Sequence, residues 1–293
     1  MAGFRGPKTK NMILFKKADE LASHIRKKRS SGIRIGLVPT MGALHQGHLS
    51  LVSEAKKHTG LIVSTIFVNP TQFNDPKDYK KYPVTIEKDI FLLEKNGLDL
   101  LFLPEITEIY PDGTDGLEKY NLGYLENILE GVYRPGHFQG VCQVMQRLLS
   151  IIMPNDLFMG QKDYQQCMVI RRLLELTGFP TVLHTCPTQR EEDGLAMSSR
   201  NIRLNAEERK RAVSIYESLM FLKNNLRPGP LIELIEDARQ ILKKNNFFVD
   251  YVAIADADTL ESAEYWDGDQ KLVALVAAFQ QQVRLIDNMT LNP

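Results

Sequence analysis

Two histidines three positions apart carry the clearest chemical signal in this sequence. They belong to the segment Val38-Pro39-Thr40-Met41-Gly42-Ala43-Leu44-His45-Gln46-Gly47-His48-Leu49. The apolar residues before it predict a buried strand, and the apolar spacing after it predicts one face of a helix. A helix N-terminus attracts phosphate, and imidazoles can donate hydrogen bonds to developing negative charge. The segment therefore predicts a phosphate-binding turn, and a surface turn with two solvated histidines is the alternative.

The elements that must position this turn follow from the hydrophobic pattern of the first two thirds of the chain. The pattern predicts strands at residues 33–38, 61–69, 98–103, 157–159 and 181–185, and helices at 47–58, 85–95, 141–153 and 164–176. This alternation predicts an α/β fold with a Rossmann-like parallel sheet and helices on both faces. Ligands of such sheets bind at the carboxyl ends of the strands, where the histidine turn, Asn69 and residues 160–163 fall.

The pattern changes after about residue 188. Asn205 and Glu208 have the spacing of a capping box at the start of a predicted helix over residues 205–225, and a second helix ends near residue 244. Predicted strands follow at residues 249–255, 272–278 and 283–286. Helices followed by strands predict a smaller C-terminal α+β domain. We therefore expect domains at residues 1–188 and 189–293, the second closing over the site of the first.

Composition excludes several classes of function. The 293 residues contain 36 basic and 36 acidic side chains, whereas a protein that grips nucleic acid usually has a basic excess. Three cysteines without a C-x-x-C pattern indicate neither a disulfide framework nor a zinc site. No signal-peptide pattern is found, and no apolar run approaches the length of a membrane span. We therefore expect a cytoplasmic protein without nucleic-acid or membrane partners.

Two further segments carry groups suited to phosphate. Lys162 and Asp163 lie between a predicted strand and a predicted helix, where they could neutralise phosphate and accept from ribose hydroxyls. A weak surface Lys–Asp pair is the alternative. Ser198, Ser199 and Arg200 offer two hydroxyls and a bidentate guanidinium, although such a triplet is more commonly a loop or helix cap.

These segments together resemble the pantothenate synthetase (pantoate–β-alanine ligase) family, within the nucleotidyltransferase superfamily that carries an H-x-G-H signature. The likeness rests on His45-Gln46-Gly47-His48 and on three longer blocks. They are Phe67-Val68-Asn69-Pro70-Thr71-Gln72-Phe73, Gly160-Gln161-Lys162-Asp163-Tyr164-Gln165-Gln166 and Asp193-Gly194-Leu195-Ala196-Met197-Ser198-Ser199-Arg200-Asn201. The resemblance extends from about residue 30 to the C-terminus.

The resemblance implies an ATP-dependent, AMP-forming ligase that condenses (R)-pantoate with β-alanine through an enzyme-bound pantoyl adenylate. It also implies Mg²⁺ and a homodimer. The implied catalytic residues are His48, His45, Lys162 and Arg200, with His48 as the acid. The implied ATP-binding residues are Pro39, Met41, Gly42, Ala43, Leu44, His45, Gln46, Gly47, His48, Gly160, Gln161, Lys162, Asp163, Gln189, Met197, Ser198, Ser199 and Arg200.

The acceptor site is expected around amide side chains. Gln72 and Gln166 match the family residues for pantoate and β-alanine, and Asn69 is expected to shape the same pocket. Amides suit a small hydroxy acid because each both donates and accepts. Asp89 aligns with an acidic residue associated with magnesium, and an exposed helix residue is its alternative. Residues 134–138, Arg-Pro-Gly-His-Phe, form either a flap over the site or a structural turn.

Three departures from the family pattern affect local contacts. Val84 stands where Arg is usual, which puts a salt bridge or dimer contact in doubt. Gln161 replaces a usual Glu, and Gln189 replaces a small apolar residue beside the adenine. One alternative function is a nucleotidyltransferase of the same superfamily that moves AMP to another small acceptor. A non-catalytic nucleotide-binding protein is another, but the motif histidines, Lys162 and Arg200 are all present.

Overall fold

The structure is a computed structural model that describes residues 11–74 and 79–292. Two compact units divide it: one contains the residues up to Leu122, Gly136–Met159 and Val169–Cys186, and the other Gly123–Pro135, Gly160–Met168 and the residues from Pro187 onward. The boundary expected after residue 188 lies close to the last of these junctions. The prediction placed Gly123–Pro135 and Gly160–Met168 in the first domain, but side chains of the second unit bind both segments. Arg284 pairs with Glu130, and Asn288 donates to the Gln161 carbonyl.

The first unit contains a six-stranded sheet in the spatial order β1-β4-β3-β2-β5-β6. Its strands are β1 Ile13–Phe15, β2 Ile35–Thr40, β3 Leu61–Ile66, β4 Leu100–Phe102, β5 Asp156–Gly160 and β6 Val182–Cys186. β1 pairs with β4, β4 with β3, β3 with β2 and β2 with β5, all in parallel. Every residue of β3 is buried, as in strands covered on both faces. The predicted Rossmann-like parallel sheet with helices on both faces is confirmed.

The helices in chain order are α1 Ala18–Arg29, α2 Gln46–His58, α3 Ile86–Lys95, α4 Ile106–Ile109, α5 Glu130–Tyr133, α6 His137–Ile152, α7 Tyr164–Thr177, α8 Ala206–Ala212, α9 Ser214–Asn225 and α10 Ile232–Lys244. α6 begins at His137, four residues before the predicted helix. Its N-cap residue, Gly136, takes a left-handed conformation with φ of 79°, which allows the helix to start there. Among residues 11–74 and 79–292, none of the helices has the length and apolar character needed to cross a membrane.

The direction of the strand order changes between β2 and β5. β3 and β4 follow on one side of β2, whereas β5 and β6 lie on the other. Right-handed crossovers then send helices to opposite faces, and such a switch point is where ligands of open α/β sheets bind. β2 ends at Thr40, directly before the histidine turn, and β5 ends at Gly160, directly before Lys162 and its neighbours.

The second unit contains an antiparallel sheet in the order β11-β10-β8 and a short ribbon of β7 and β9. Its strands are β7 Gly229–Pro230, β8 Phe247–Asp256, β9 Tyr265–Trp266, β10 Leu272–Gln280 and β11 Val283–Thr290. The apolar faces of α9 and α10 and the inner face of the sheet share one hydrophobic core. The expected C-terminal α+β domain is confirmed.

Several elements differ from the sequence prediction, among them helix α1, which was not predicted. β1 was not predicted, because three residues at a sheet edge with Ile13 44% exposed carry no burial pattern. The helix expected at residues 205–225 is two helices with Val213 between them. The strand expected to reach Asn69 ends at Ile66, and the next ordered element begins at Pro70, which has no N–H for a ladder.

Candidate active site

The two motif histidines cap the helix that follows β2. His45 is the N-cap of α2, and its Nδ1 accepts from the Gly47 N–H at 3.1 Å. The Nδ1 of His48 accepts from the His45 N–H at 3.3 Å, which completes a reciprocal capping box. The two ring centroids are 4.1 Å apart. Because each Nδ1 accepts a hydrogen bond, the neutral rings carry their protons on Nε2, the form that donates from that atom.

The backbone before His45 has an unusual conformation. Gly42 and Ala43 both have positive φ, at 84° and 49°. Glycine adopts this region freely, but a residue with a Cβ does so only when its surroundings stabilise it. The stabilising group is Asp89 on α3, whose carboxylate accepts from the Ala43 and Leu44 N–H groups, each at 2.8 Å.

The same geometry bears on the expected magnesium role of Asp89. This residue is completely buried, and its carboxylate also accepts from the Thr85 hydroxyl at 3.0 Å. Three hydrogen-bond donors thus surround the Asp89 carboxylate, and a cation would have to replace them to bind it. The residues that the structure describes contain no group of three or more His, Cys, Asp or Glu side chains arranged to hold a metal ion. With three donors already directed at it, the Asp89 carboxylate does not fit a resident metal ion.

A cavity of about 470 Å³ adjoins the turn within the first unit. Met41 and Gly42 line it, with apolar side chains that include Phe67, Ile86 and Val84, the last at the position where the family usually has Arg. Gln72 and Asn69 are not among its lining residues, although Met41, which contacts Gln72, and Val68, which precedes Asn69, are.

Gln72 and Asn69 are held together beside the histidine turn. The Nδ2 of Asn69 donates to Gln72 Oε1 at 3.3 Å, and the Nε2 of Gln72 lies 2.9 Å from the Met41 sulfur. Asn69 also donates to the Gly140 carbonyl at 3.0 Å and accepts from the Tyr110 hydroxyl at 2.9 Å. Both amides are buried. Protein partners occupy both ends of the Asn69 amide, which suits its expected role of shaping the pocket.

The segment expected as a flap or a turn anchors Gln72 instead. His137 and Phe138 open helix α6 and are buried. The Nδ1 of His137 lies 2.7 Å from the Gln72 carbonyl oxygen, so this nitrogen carries the proton and donates. A Cβ at Gly140 would lie 2.3 Å from the Thr71 carbonyl oxygen. Only glycine permits this close approach of α6 to the Gln72 loop, which favours the structural interpretation of the segment.

In the second unit, strand β11 holds the turn that carries Lys162. Asn288 donates from Nδ2 to the carbonyl oxygens of Gln161 and Lys162, both at 2.9 Å. Gln161 donates in return to Asn288 Oδ1 at 3.3 Å. The amide that stands where the family usually has Glu therefore takes part in this contact. The Lys162 ammonium lies 4.0 Å from Asp163 Oδ1, at the limit of an ion pair. Sequence analysis missed Asn288, because nothing near it in the chain indicates a partner 127 residues away.

The two neighbouring glutamines of this segment have different surroundings. Gln165 is buried and serves backbone groups: its Oε1 accepts from the Glu130 N–H at 3.0 Å, and its Nε2 donates to the Leu125 and Ile128 carbonyls. Gln166 is half-buried, and its side chain makes no hydrogen bond to another residue in the part of the chain that the structure describes. Of the pair, Gln166 is the residue predicted to bind a ligand, and that role stays a prediction.

The serine–arginine segment forms a single turn. Ser198 is the N-cap of a short 3₁₀ helix, Ser199–Arg203, and its hydroxyl accepts from the Arg200 N–H at 3.2 Å. The Met197 N–H donates to the carbonyl of Gln189 at 2.9 Å, so two of the residues expected to bind ATP are paired. Gln189 is exposed.

An ion pair with strand β11 supports the chain just before the serine–arginine segment. Arg190 forms two hydrogen bonds to the Asp287 carboxylate, at 2.6 and 3.1 Å, and a third to the Gly194 carbonyl at 3.0 Å. Asp287 is buried. Bidentate arginine–carboxylate pairs define orientation as well as adding energy. Sequence analysis did not identify either residue, because their separation of 97 positions leaves no local pattern.

The expected residues thus fall into two sets. The first unit brings together the histidine turn, Met41, Asn69 and Gln72. The second unit carries two segments, one with Lys162 and Gln166 and the other with Arg200. Asn288 of β11 holds the first, and Asp287 of β11 holds Arg190, which precedes the second. The roles of these residues toward ligands stay predictions.

A parallel sheet with a histidine-capped helix after the switch-point strand defines an α/β protein of the Rossmann-like class. The family model described as pantoate-beta-alanine ligase matches residues 13–290, nearly the whole chain. The chain therefore belongs to the pantoate-β-alanine ligase family, which is a family of enzymes.

Individual relatives agree with this assignment. The chain is 41% identical over 285 residues to the pantothenate synthetase of Cytophaga hutchinsonii, covering 96% of this chain and 99% of that protein. It is 43% identical over 284 residues to that of Christiangramia forsetii, covering 96% and 100%. The crystal structure of pantothenate synthetase from Thermus thermophilus matches with a TM-score of 0.88 at 38% identity, covering 96% and 100%. A pantoate-beta-alanine ligase from Francisella tularensis, complexed with beta-gamma ATP and beta-alanine, matches with a TM-score of 0.79 at 37% identity, covering 95% and 97%.

Proposed function

We propose that this chain condenses (R)-pantoate with β-alanine at the expense of ATP, giving pantothenate, AMP and pyrophosphate through an enzyme-bound pantoyl adenylate. The observation that carries the proposal is the family match over residues 13–290, in which the histidine turn and the glutamine loop are both intact. The Francisella tularensis structure, complexed with beta-gamma ATP and beta-alanine, supports ATP and β-alanine as two of the substrates.

ATP is proposed to bind at the carboxyl ends of β2 and β5. The N-terminus of α2 provides backbone N–H groups and a partial positive charge for the phosphates. Residues 160–163 and the segment from Met197 to Arg200 add a lysine, two hydroxyls and a guanidinium. Gln189 is proposed to lie near the adenine.

In the proposed first step, a carboxylate oxygen of pantoate attacks the α-phosphorus of ATP. A new P–O bond forms as the bond to the bridging oxygen of pyrophosphate breaks, and negative charge grows on the phosphoryl and leaving oxygens. Preorganised donors stabilise such charge because they need no reorganisation during the reaction. His45 and His48 donate from Nε2, Lys162 and Arg200 contribute positive charge, and His48 is the proposed acid.

Pantoate is proposed to be held by Gln72 and Gln166. Each amide can accept from a hydroxyl and donate to a carboxylate oxygen, which matches a small hydroxy acid. Asn69 acts indirectly, since it fixes the orientation of the Gln72 side chain. A phosphorylated acceptor, by contrast, would require additional cationic side chains at this position.

In the proposed second step, the amine of β-alanine attacks the acyl carbon of the adenylate. The C–N bond forms, the C–O bond to AMP breaks, and the nitrogen loses a proton. An acyl adenylate hydrolyses readily, so the smaller domain is proposed to close over the site and exclude water. No covalent enzyme intermediate is required.

Mg²⁺ is proposed to accompany ATP, because phosphate oxygens are among its preferred ligands. The chain is further proposed to act as a homodimer, as the family resemblance implies, and to be cytoplasmic, as expected from the sequence. Sedimentation equilibrium distinguishes a monomer from a dimer.

The experiment that tests the function measures pyrophosphate and AMP release from ATP and Mg²⁺, with D-pantoate present and β-alanine added or omitted. Pantoate-dependent pyrophosphate release, with continued AMP and pantothenate turnover only after β-alanine is added, supports both half-reactions. Failure of pantoate to stimulate pyrophosphate release, in protein that binds ATP, overturns the proposal and favours transfer of AMP to another acceptor.

A further inference from the structure

The histidine turn depends on a buried carboxylate from a different part of the chain. Asp89 is separated from Ala43 by 46 residues, yet its two oxygens accept the backbone N–H groups of Ala43 and Leu44. Hydrogen bonds to an ionised acceptor are stronger than neutral ones, and burial protects these from competing water. Asp89 thus provides the energy that keeps Ala43 at its positive φ of 49°.

The fit between the turn and the carboxylate is close. A Cβ added at Gly42 would lie 3.1 Å from Asp89 Oδ2 and 3.2 Å from the Ile66 side chain. A small displacement of the carboxylate is therefore transmitted to the backbone of the turn. Three residues after Gly42, His45 begins the reciprocal cap that orients both imidazoles.

Thr85 fixes the carboxylate from its own side. Its hydroxyl donates to Asp89 Oδ1 at 3.0 Å, one helical turn earlier in the chain. The Leu44 N–H and the Thr85 hydroxyl thus share Oδ1, while the Ala43 N–H has Oδ2. In the described part of the chain, no lysine or arginine forms an ion pair with this carboxylate, so these three donors balance its charge.

We propose that Asp89 is a positioning residue: it sets the backbone of residues 42–44 and thereby places His45 and His48 against the phosphates of ATP. It does so instead of binding a metal ion. The proposal rests on the proposed function, because it assigns to the histidines the ATP-dependent step described above.

Asp89→Asn is the direct test, because it preserves shape while removing the charge and one acceptor. When the oxygen of the new amide faces Leu44 and Thr85, its NH₂ group faces the Ala43 N–H. Two donors then oppose each other, and the Ala43 hydrogen bond is lost. Amide exchange followed by NMR is expected to show at least about tenfold faster exchange at Ala43 and Leu44. The control is Glu87→Gln, which removes an exposed charge from the same helix and is expected to leave that exchange unchanged.

Kinetics supply a second readout. In Asp89→Asn, kcat/KM for ATP in pantoate-dependent pyrophosphate release is expected to fall about 10- to 100-fold, the loss typical of a charged hydrogen bond. The KM for β-alanine is expected to stay within about twofold, since the second step does not use the triphosphate. The Mg²⁺ concentration for half-maximal rate is expected to be unchanged at saturating ATP.

Two results would overturn the inference. One is exchange at Ala43 and Leu44 within about twofold of wild type. The other is a rate that high Mg²⁺ restores to the wild-type value, which identifies Asp89 as a metal ligand. If Asp89→Asn does not fold, Thr85→Val provides the test, because it retains the charge and removes one donor. It is expected to change the same two amides and kcat/KM for ATP by about two- to fivefold, and unchanged exchange there also overturns the inference.

The exchange measurement does not depend on the activity of the chain. If the wild-type protein fails to release pyrophosphate with pantoate, the proposed function is wrong, whereas the anchoring of the turn is still tested by the amides. If pyrophosphate is released normally and Asp89→Asn behaves like wild type, the inference alone is wrong.

Discussion

Glu130 and Arg284 form a bidentate ion pair inside the second unit, with N–O distances of 2.7 and 2.8 Å, although 154 residues separate them. Arg284 also donates to Asp250 at 2.7 Å, and the Tyr251 hydroxyl donates to Glu130 at 2.9 Å. Glu130 is 7% exposed. The pair attaches the segment Gly123–Pro135 to strands β8 and β11, so this segment belongs to the second unit.

Removing one partner should therefore destabilise the protein strongly. Glu130→Ala removes the acceptor of two Arg284 hydrogen bonds and of the Tyr251 hydroxyl, and breaking a buried pair in this way costs about 3 kcal/mol. Urea unfolding followed by circular dichroism measures the change. The matched control is Glu207→Ala, whose pair with Lys210 is exposed on both sides and should contribute less than about 1 kcal/mol. Equal effects of the two variants would contradict the assigned role.

The same pair predicts a dependence of stability on pH. Burial opposes ionisation of Glu130, but the hydrogen bonds and charges of Arg284 and Arg134 outweigh it and hold the pKa of the carboxyl below its ordinary value of 4.5. A lowered pKa in the folded state stabilises the protein above the unfolded-state pKa, and this contribution is lost as the pH falls through the folded-state pKa.

The free energy of unfolding of the wild type should therefore decrease as the pH falls below about 4.5, with part of the decrease due to Glu130. Glu130→Gln cannot titrate, so its stability should fall less steeply over the same range. Urea unfolding of both proteins at pH 7 and at intervals down to pH 3 measures the difference. Parallel curves for the two proteins would show that Glu130 makes no such contribution.

His48→Ala should lower the rate of pantoate-dependent pyrophosphate release by about 100- to 1,000-fold, because a preorganised donor to the developing charge is lost. His58→Ala is the matched control: it removes another imidazole from the same helix, one that pairs with Glu54 at the opposite end. Rapid-quench measurement of pyrophosphate distinguishes them. A near-normal rate in His48→Ala would mean that this histidine has no catalytic role.

Gly140→Ala should impair pantoate binding specifically. The new Cβ would lie 2.3 Å from the Thr71 carbonyl oxygen and 2.6 Å from the Gln72 Cα, so the loop that carries Gln72 must move. We expect the KM for pantoate to rise about tenfold or more, with a smaller change in the KM for ATP. Ser150→Ala, at an exposed position of the same helix, should change neither constant. A normal KM for pantoate in Gly140→Ala would remove Gln72 from the pantoate site.

Gln165 and Gln166 should respond to alanine in opposite ways. Gln165→Ala leaves the Glu130 N–H and two carbonyls without their partner, and should reduce the free energy of unfolding by about 2 kcal/mol. Gln166→Ala should leave stability within about 0.5 kcal/mol but raise the KM for pantoate. Thermal unfolding and initial rates measured on the two variants compare these effects. If Gln165→Ala raised the KM for pantoate and Gln166→Ala reduced the free energy of unfolding, the roles of the two glutamines would be exchanged.

Much of the fold follows from local pattern. The alternation of buried strands with amphipathic helices predicted the sheet, and Asn205 with Glu208 predicted a capping box that the structure contains. The short edge strand β1 was missed, because its pairing with β4 depends on residues far along the chain. The break at Val213 was missed as well, since neither glycine nor proline marks it.

The expected site residues divide in the same way. His45 and His48 could be identified from a motif because both lie within one turn, where each supplies the other's cap. The choice between the flap and the turn for residues 134–138 could not be made from the sequence. It depends on the distance of 2.7 Å between His137 and the Gln72 carbonyl, two groups 65 residues apart.

The sequence by itself determined the strand–turn–helix at the histidines, the order of the two domains and the family, because each is encoded by neighbouring residues or by long ordered blocks. The tertiary structure decided which side chains support the expected site residues, with Asp89 under the turn and Asn288 behind Lys162, and it paired Arg284 with Glu130. The physical reason is that a buried polar group must find a partner, and the partner is selected by the fold and not by proximity in the chain.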